Sequence, residues 1–148
     1  MQNQTCLSVC TRCRQPEYIG PDSQRPGYRL AVAIHARFAE SAAGRLGMGL
    51  RGVRCMSQCK RPCAIALSGA DKYTLIFGDL EPHRDTQAIL DLAEQYAVIP
   101  DGYIPRAERP ESLQSGILGR VAPLHFVNDP VDPDFFIPSS QMLKKEPV

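Results

Sequence analysis

Six of the 148 residues are cysteines, and four of them fall into two short pairs, Cys10-x-x-Cys13 and Cys55-x-x-x-Cys59. Thiolates are soft ligands, and four of them converging from two loops suit a tetrahedral zinc site or an iron–sulfur cluster with four cysteine ligands. A single CxxC is a weak signal because the same spacing serves dithiol exchange; two pairs in compatible positions are much stronger. Cys6 lies on the strand-like segment that leads to Cys10, about 13 Å from it at ~3.3 Å per residue, so the two cannot ligate one small cluster. Cys63 begins an apolar run just after Pro62, either as a small core or supporting residue or as a ligand in place of Cys59.

Lysine and arginine number 17 against 16 aspartate and glutamate, a net charge of +1 that makes no case for nucleic acid or an anionic membrane as partner. The start, Met1-Gln2-Asn3-Gln4-Thr5, has no basic stretch followed by an apolar one, and no segment approaches the ~18 consecutive apolar residues of a membrane helix. A cytoplasmic protein is expected. In that reducing compartment clustered thiols serve metal or redox chemistry more often than cross-linking.

The elements that must position the cysteines follow from periodicity. Thr5 to Val9 alternates as a strand does and runs straight into the first pair. A Pro/Gly/Ser-containing loop ends at Pro26-Gly27, after which Leu30, Ile34, Phe38 and Ala42 form one helical stripe closed by Gly44 and Gly47. Leu50 to Arg54 is a short strand delivering Cys55, and Cys63 to Leu67 an apolar strand beyond the second cysteine loop. Ser68 to Asp71 turns the chain so that Tyr73 to Phe77 pairs back as a hairpin. Asp85 or Thr86 caps a second helix carrying Ile89, Leu92, Ala93 and Tyr96 on one face. The fold class is α/β (α+β), its order read as βαββα over residues 1–99.

From Pro100 onward the chain carries eight of its thirteen prolines, so residues 100–148 are expected to form an extended tail. Leu124, Phe126, Val127, Phe135, Phe136 and Ile137 are too apolar for a purely solvated linker, which predicts packing on the domain or on a second subunit.

With its βαββα order and its cysteines at 10, 13, 55 and 59, the sequence resembles the thioredoxin-like [2Fe-2S] ferredoxins, a group that includes the small thioredoxin-fold subunit of respiratory NADH dehydrogenases. The segment from Val53 through Cys55, Cys59 and Cys63 to Leu67 is similar to that family's second cysteine loop and following strand. Through Cys55 to Leu67 and Tyr73 to Leu80 it is closer still to a bacterial family of small proteins known only as predicted metal-binding. The resemblance covers roughly the first hundred residues. It implies a [2Fe-2S] cluster with Cys10 and Cys13 as one pair of ligands and Cys55 and Cys59 as the other, a redox partner protein, and it allows a homodimer. The first pair is closer together than the family's, and Cys6 and Cys63 are extra.

Such a cluster, with four thiolates, two ferric ions and two sulfides, carries about −2. Arg12, Arg14, Arg54, Lys60 and Arg61 flank the cysteines and either offset that charge or are simply solvated. His35, His83 and His125 are not grouped at ligand spacing, Asp79 after Phe77-Gly78 reads as a turn residue, and no paired-carboxylate, phosphate-loop or serine-triad signature is present. Three functions remain: a one-electron carrier, a zinc-binding or metal-delivery protein using the same four cysteines, and a thiol–disulfide oxidoreductase using Cys10 and Cys13. The third is disfavoured because in that class the CxxC opens a helix, whereas here Arg14-Gln15-Pro16 and a long loop intervene.

Overall fold

A computed structural model describes residues 4–13, 18–124 and 131–141. Arg14, His125, Phe126 and Val127, singled out above, lie outside the described residues. Five strands, β1 (Thr5–Cys10), β2 (Gly49–Val53), β3 (Ile65–Gly69), β4 (Thr74–Phe77) and β5 (Ile117–Val121), form one sheet in the order β2-β1-β3-β4-β5. β1 runs parallel to β2 and antiparallel to β3, and the remaining pairs are antiparallel. Three helices join them: α1 (Pro26–Phe38), the single turn α2 (Ala42–Arg45) and α3 (Pro82–Val98). β1, α1, β3, β4 and α3 follow the βαββα order, with β2 and β5 as edge strands.

Register explains the core. Leu7 faces Leu67, which faces Leu75, while Val9 faces Ile65, which faces Phe77, so two apolar rows cross the three central strands. Onto this surface α1 presents Leu30, Ile34 and Phe38, and α3 presents Ile89, Leu92, Ala93 and Tyr96, all buried. The two long helices pack against each other. β1 lies inside the sheet and is almost wholly buried, including Ser8 on the face opposite Leu7 and Val9.

Two element boundaries differ from expectation. The stripe of the first helix stops at Phe38, because the chain restarts at Ser41, whose hydroxyl accepts the Gly44 N–H at 3.2 Å and caps α2; Ala43, not Ala42, is the buried residue there. α3 begins a turn earlier than a cap at Asp85 or Thr86 would allow, with Pro82 in its first turn. The fully buried Asp85 carboxylate instead reaches back to accept the Glu81 N–H at 2.8 Å and pairs with Arg84 at 2.8 Å. Asp85→Ala is expected to destabilise the protein by about 1–3 kcal/mol in denaturant unfolding, since it leaves a helix-start N–H and a guanidinium group short of an acceptor.

Beyond α3, Leu113 is fully buried, and β5 zips onto β4 with a register shift at Ile76/Phe77. Arg120 of β5 lies over the Tyr103 and Tyr73 rings, 4.5 and 5.4 Å from their centroids. Leu124, Phe135 and Ile137 are exposed. No helix among the described residues is long and apolar enough to cross a membrane.

The buried Tyr96 hydroxyl donates to the Tyr73 carbonyl at 2.5 Å, and burial pushes its phenol above the usual tyrosine range. The folded state therefore holds this proton more tightly than the unfolded chain. Its contribution to stability is intact below the unfolded value of about 10 and is lost as pH rises toward the higher folded value. Tyr96→Phe is expected to cost about 1 kcal/mol at neutral pH and to flatten the alkaline loss of stability followed by circular dichroism.

Candidate metal centre

Cys10 ends β1, where its N–H donates to the Ala64 carbonyl at 3.0 Å, and Thr11 N–H donates to the Val53 carbonyl at 2.8 Å. The chain then turns through Arg12 to Cys13. That turn is held from two sides. The Gly27 N–H at the start of α1 donates to the Cys13 carbonyl at 3.0 Å, and Arg25 donates to the Arg12 carbonyl at 3.1 Å. Asp22 pairs with both Arg12 and Arg25. A Cβ on Gly27 would lie 2.3 Å from the Cys10 carbonyl oxygen and 2.9 Å from the Cys13 Cβ, so only glycine lets the helix approach this closely.

Cys10, Cys13 and Cys63 are buried, at 2%, 1% and 2% exposure. The neighbouring Cys13 thiol, and to a lesser degree nearby backbone N–H groups, lower the Cys10 pKa to about 5 against the opposing effect of burial. The Cys13 thiol is pushed upward, first by its interaction with Cys10 and then by burial. Burial, and then the neighbouring charge of Cys10, pushes Cys63 up to about 12.

The second cysteine loop lies on the solvent side. Cys55 and Cys59 are both exposed; the Ser57 N–H donates to the Cys55 sulfur at 3.3 Å, and Ser57 takes a positive φ of 57°. Arg61 closes the loop through its ion pair with Asp79 at 2.5 Å, which also sits at positive φ, as expected of a turn residue. Arg54 and Lys60 are exposed. Cys6 is half-buried on β1 and bonds back to the Leu7 carbonyl.

Of the four cysteines singled out from the sequence, Cys10 and Cys13 are buried together at the end of β1, while Cys55 and Cys59 stand exposed on the second loop. Among the described residues no three His, Cys, Asp or Glu side chains are already grouped to hold a metal ion. The backbone bond between Cys10 and Ala64 and the closeness of Gly27 escaped the sequence reading. Pro26-Gly27 was legible only as the start of a helix.

The fold is similar to the thioredoxin-like [2Fe-2S] ferredoxin from Aquifex aeolicus. One structure of that protein, at 1.5 Å resolution, has 17% sequence identity over 79% of this chain and 98% of the ferredoxin, with a TM-score of 0.51. Another has 16% identity over 82% and 96%, with a TM-score of 0.52. At that identity the likeness establishes a thioredoxin-like fold. No curated protein matches the sequence. A family match extends over residues 7–123, more than half of the chain, and by it the protein belongs to the family described as "Protein of unknown function (DUF1636)".

Proposed function

We propose that this protein is a one-electron carrier whose [2Fe-2S] cluster is held by Cys10 and Cys13 together with two of the three thiols of the Cys55–Cys63 segment. The observation that carries the reading is the sulfur-only donor set at the end of the central strand. Cys10, Cys13 and Cys63 are buried there, and the Cys10 N–H is bonded to the carbonyl of Ala64, the residue after Cys63. Soft thiolate donors with backbone N–H support suit iron–sulfur or zinc. When bound, such a cluster supplies reversible one-electron transfer.

The chain's own contribution is position and field. Nearby backbone N–H groups stabilise negative charge on the Cys10 sulfur. Arg54 and Lys60 add positive charge to the exposed loop, where a redox partner would dock. The setting proposed is cytoplasmic, with a partner enzyme and room for a homodimer.

Two other readings use the same thiols. Zinc binding or delivery needs the same ligands. Dithiol exchange is favoured by the lowered Cys10 pKa beside Cys13. Against it, the first N–H of α1 meets the Cys13 carbonyl and no thiol, and the second cysteine segment is left without a task. Anaerobic purification with an absorption spectrum and iron, sulfide and zinc assays tests all three. A brown protein with about two irons and two sulfides per chain that bleaches on dithionite is the expected result. A colourless zinc protein favours the metal-site alternative. A metal-free protein with a titratable Cys10–Cys13 disulfide favours exchange.

A further inference from the structure

The second cysteine segment carries three thiols, and the structure treats them differently. Cys59 stands exposed in a turn closed by the Arg61 N–H on the Gln58 carbonyl at 2.9 Å. Cys63 is locked beside the first pair. Its N–H donates to the Leu80 carbonyl at 3.3 Å, and its carbonyl accepts the Leu80 N–H at 3.2 Å. The next residue, Ala64, gives its carbonyl to the Cys10 N–H at 3.0 Å. Cys55 is exposed, but its sulfur already accepts the Ser57 N–H at 3.3 Å. We infer that Cys63, and not Cys59, completes the ligand set with Cys10, Cys13 and Cys55. This inference rests on the proposal that the protein holds a thiolate-ligated metal centre.

The physical argument is one of pre-organisation. A ligand fixed by its neighbours' hydrogen bonds loses little entropy on binding, whereas an exposed loop thiol must be immobilised first. Cys10, Cys13 and Cys63 also share one buried region, where a bound cation compensates the charge that deprotonated sulfur would carry. A buried cysteine is in general a common small core residue. Cys63 is set apart because the carbonyl of the next residue, Ala64, is bonded to the Cys10 N–H at 3.0 Å.

Thiol alkylation of the intact wild-type chain tests this without any folding risk. Cys55 and Cys59 are both exposed in the metal-free protein, so both should react with iodoacetamide. After loading with zinc alone, or with iron and sulfide, the Cys55 rate is expected to fall at least tenfold while the Cys59 rate stays unchanged. Equal protection of Cys59 would overturn the assignment. If neither loading gives retained metal, the metal-centre proposal itself fails and takes this inference with it. As a second arm, Cys59→Ser should keep the wild-type metal content and spectrum. Cys63→Ala, checked for folding by circular dichroism, should lose them; a folded Cys63→Ala that retains the wild-type spectrum would also overturn the assignment.

Discussion

Cys10→Ser should lose the metal centre while the protein stays folded. The exchange is nearly isosteric, and the backbone hydrogen bond from residue 10 to the Ala64 carbonyl does not involve the side chain. The sulfur, in contrast, is buried beside Cys13, and its pKa is lowered there to about 5. Removing an outer-shell partner of a metal site costs about 10–100-fold in affinity, and removing a ligand at the centre of the group exceeds that. Iron and zinc per chain should drop at least tenfold, with far-ultraviolet circular dichroism unchanged. Wild-type metal content in the variant would move the centre away from the end of β1. Cys6→Ser is the control, since its thiol bonds only to the adjacent Leu7 carbonyl, and it should retain full metal content.

Gly27→Ala should damage stability and metal retention together. The added methyl would overlap backbone atoms, the Cys10 carbonyl oxygen at 2.3 Å and the Cys13 nitrogen at 2.8 Å, and backbone cannot rotate away as a flexible side chain could. Either α1 shifts outward or the turn between the two cysteines is pushed from its place. Overpacking of this kind costs about 1–3 kcal/mol and occasionally more, and contact with two backbone groups puts this case at about 3 kcal/mol. The midpoint in guanidinium chloride should fall accordingly, with metal content falling in the same variant. Gly119→Ala provides the contrast: nothing lies within 4 Å of its added carbon, so it should be neutral or slightly stabilising. Equal behaviour of the two variants would mean that the close approach of helix and turn is not needed.

The helix faces were legible because their signal is local. Leu30, Ile34 and Phe38 repeat at helical spacing, as do Ile89, Leu92 and Tyr96, and each set proves buried on one side. The first cysteine pair was legible for the same reason, since a strand ending in CxxC is written in one short stretch. What escaped depends on register. Val9 faces Ile65, which carries Cys63 and Ala64 to the end of β1 beside Cys10, and no short-range pattern reveals that pairing. Likewise Ile117 to Val121 is short, interrupted by Gly119 and preceded by prolines, so its place beside β4 comes from tertiary pairing rather than propensity. The start of α3 was missed because Asp85 looks like a cap but caps from inside the helix.

The pairing of β5 with β4 also bears on how this protein avoids sticking to itself. Without it, β4 would offer a row of unmet N–H and C=O groups flanked by Leu75, Ile76 and Phe77, a template onto which another molecule's strand could add. β5 covers that template with a poorer one. Its sequence carries an arginine and a glycine, and the register shift at Ile76/Phe77 disturbs the regular ladder. A chain cut short before Ile117 is therefore expected to aggregate into fibrils, followed by thioflavin T fluorescence, even with every cysteine in place.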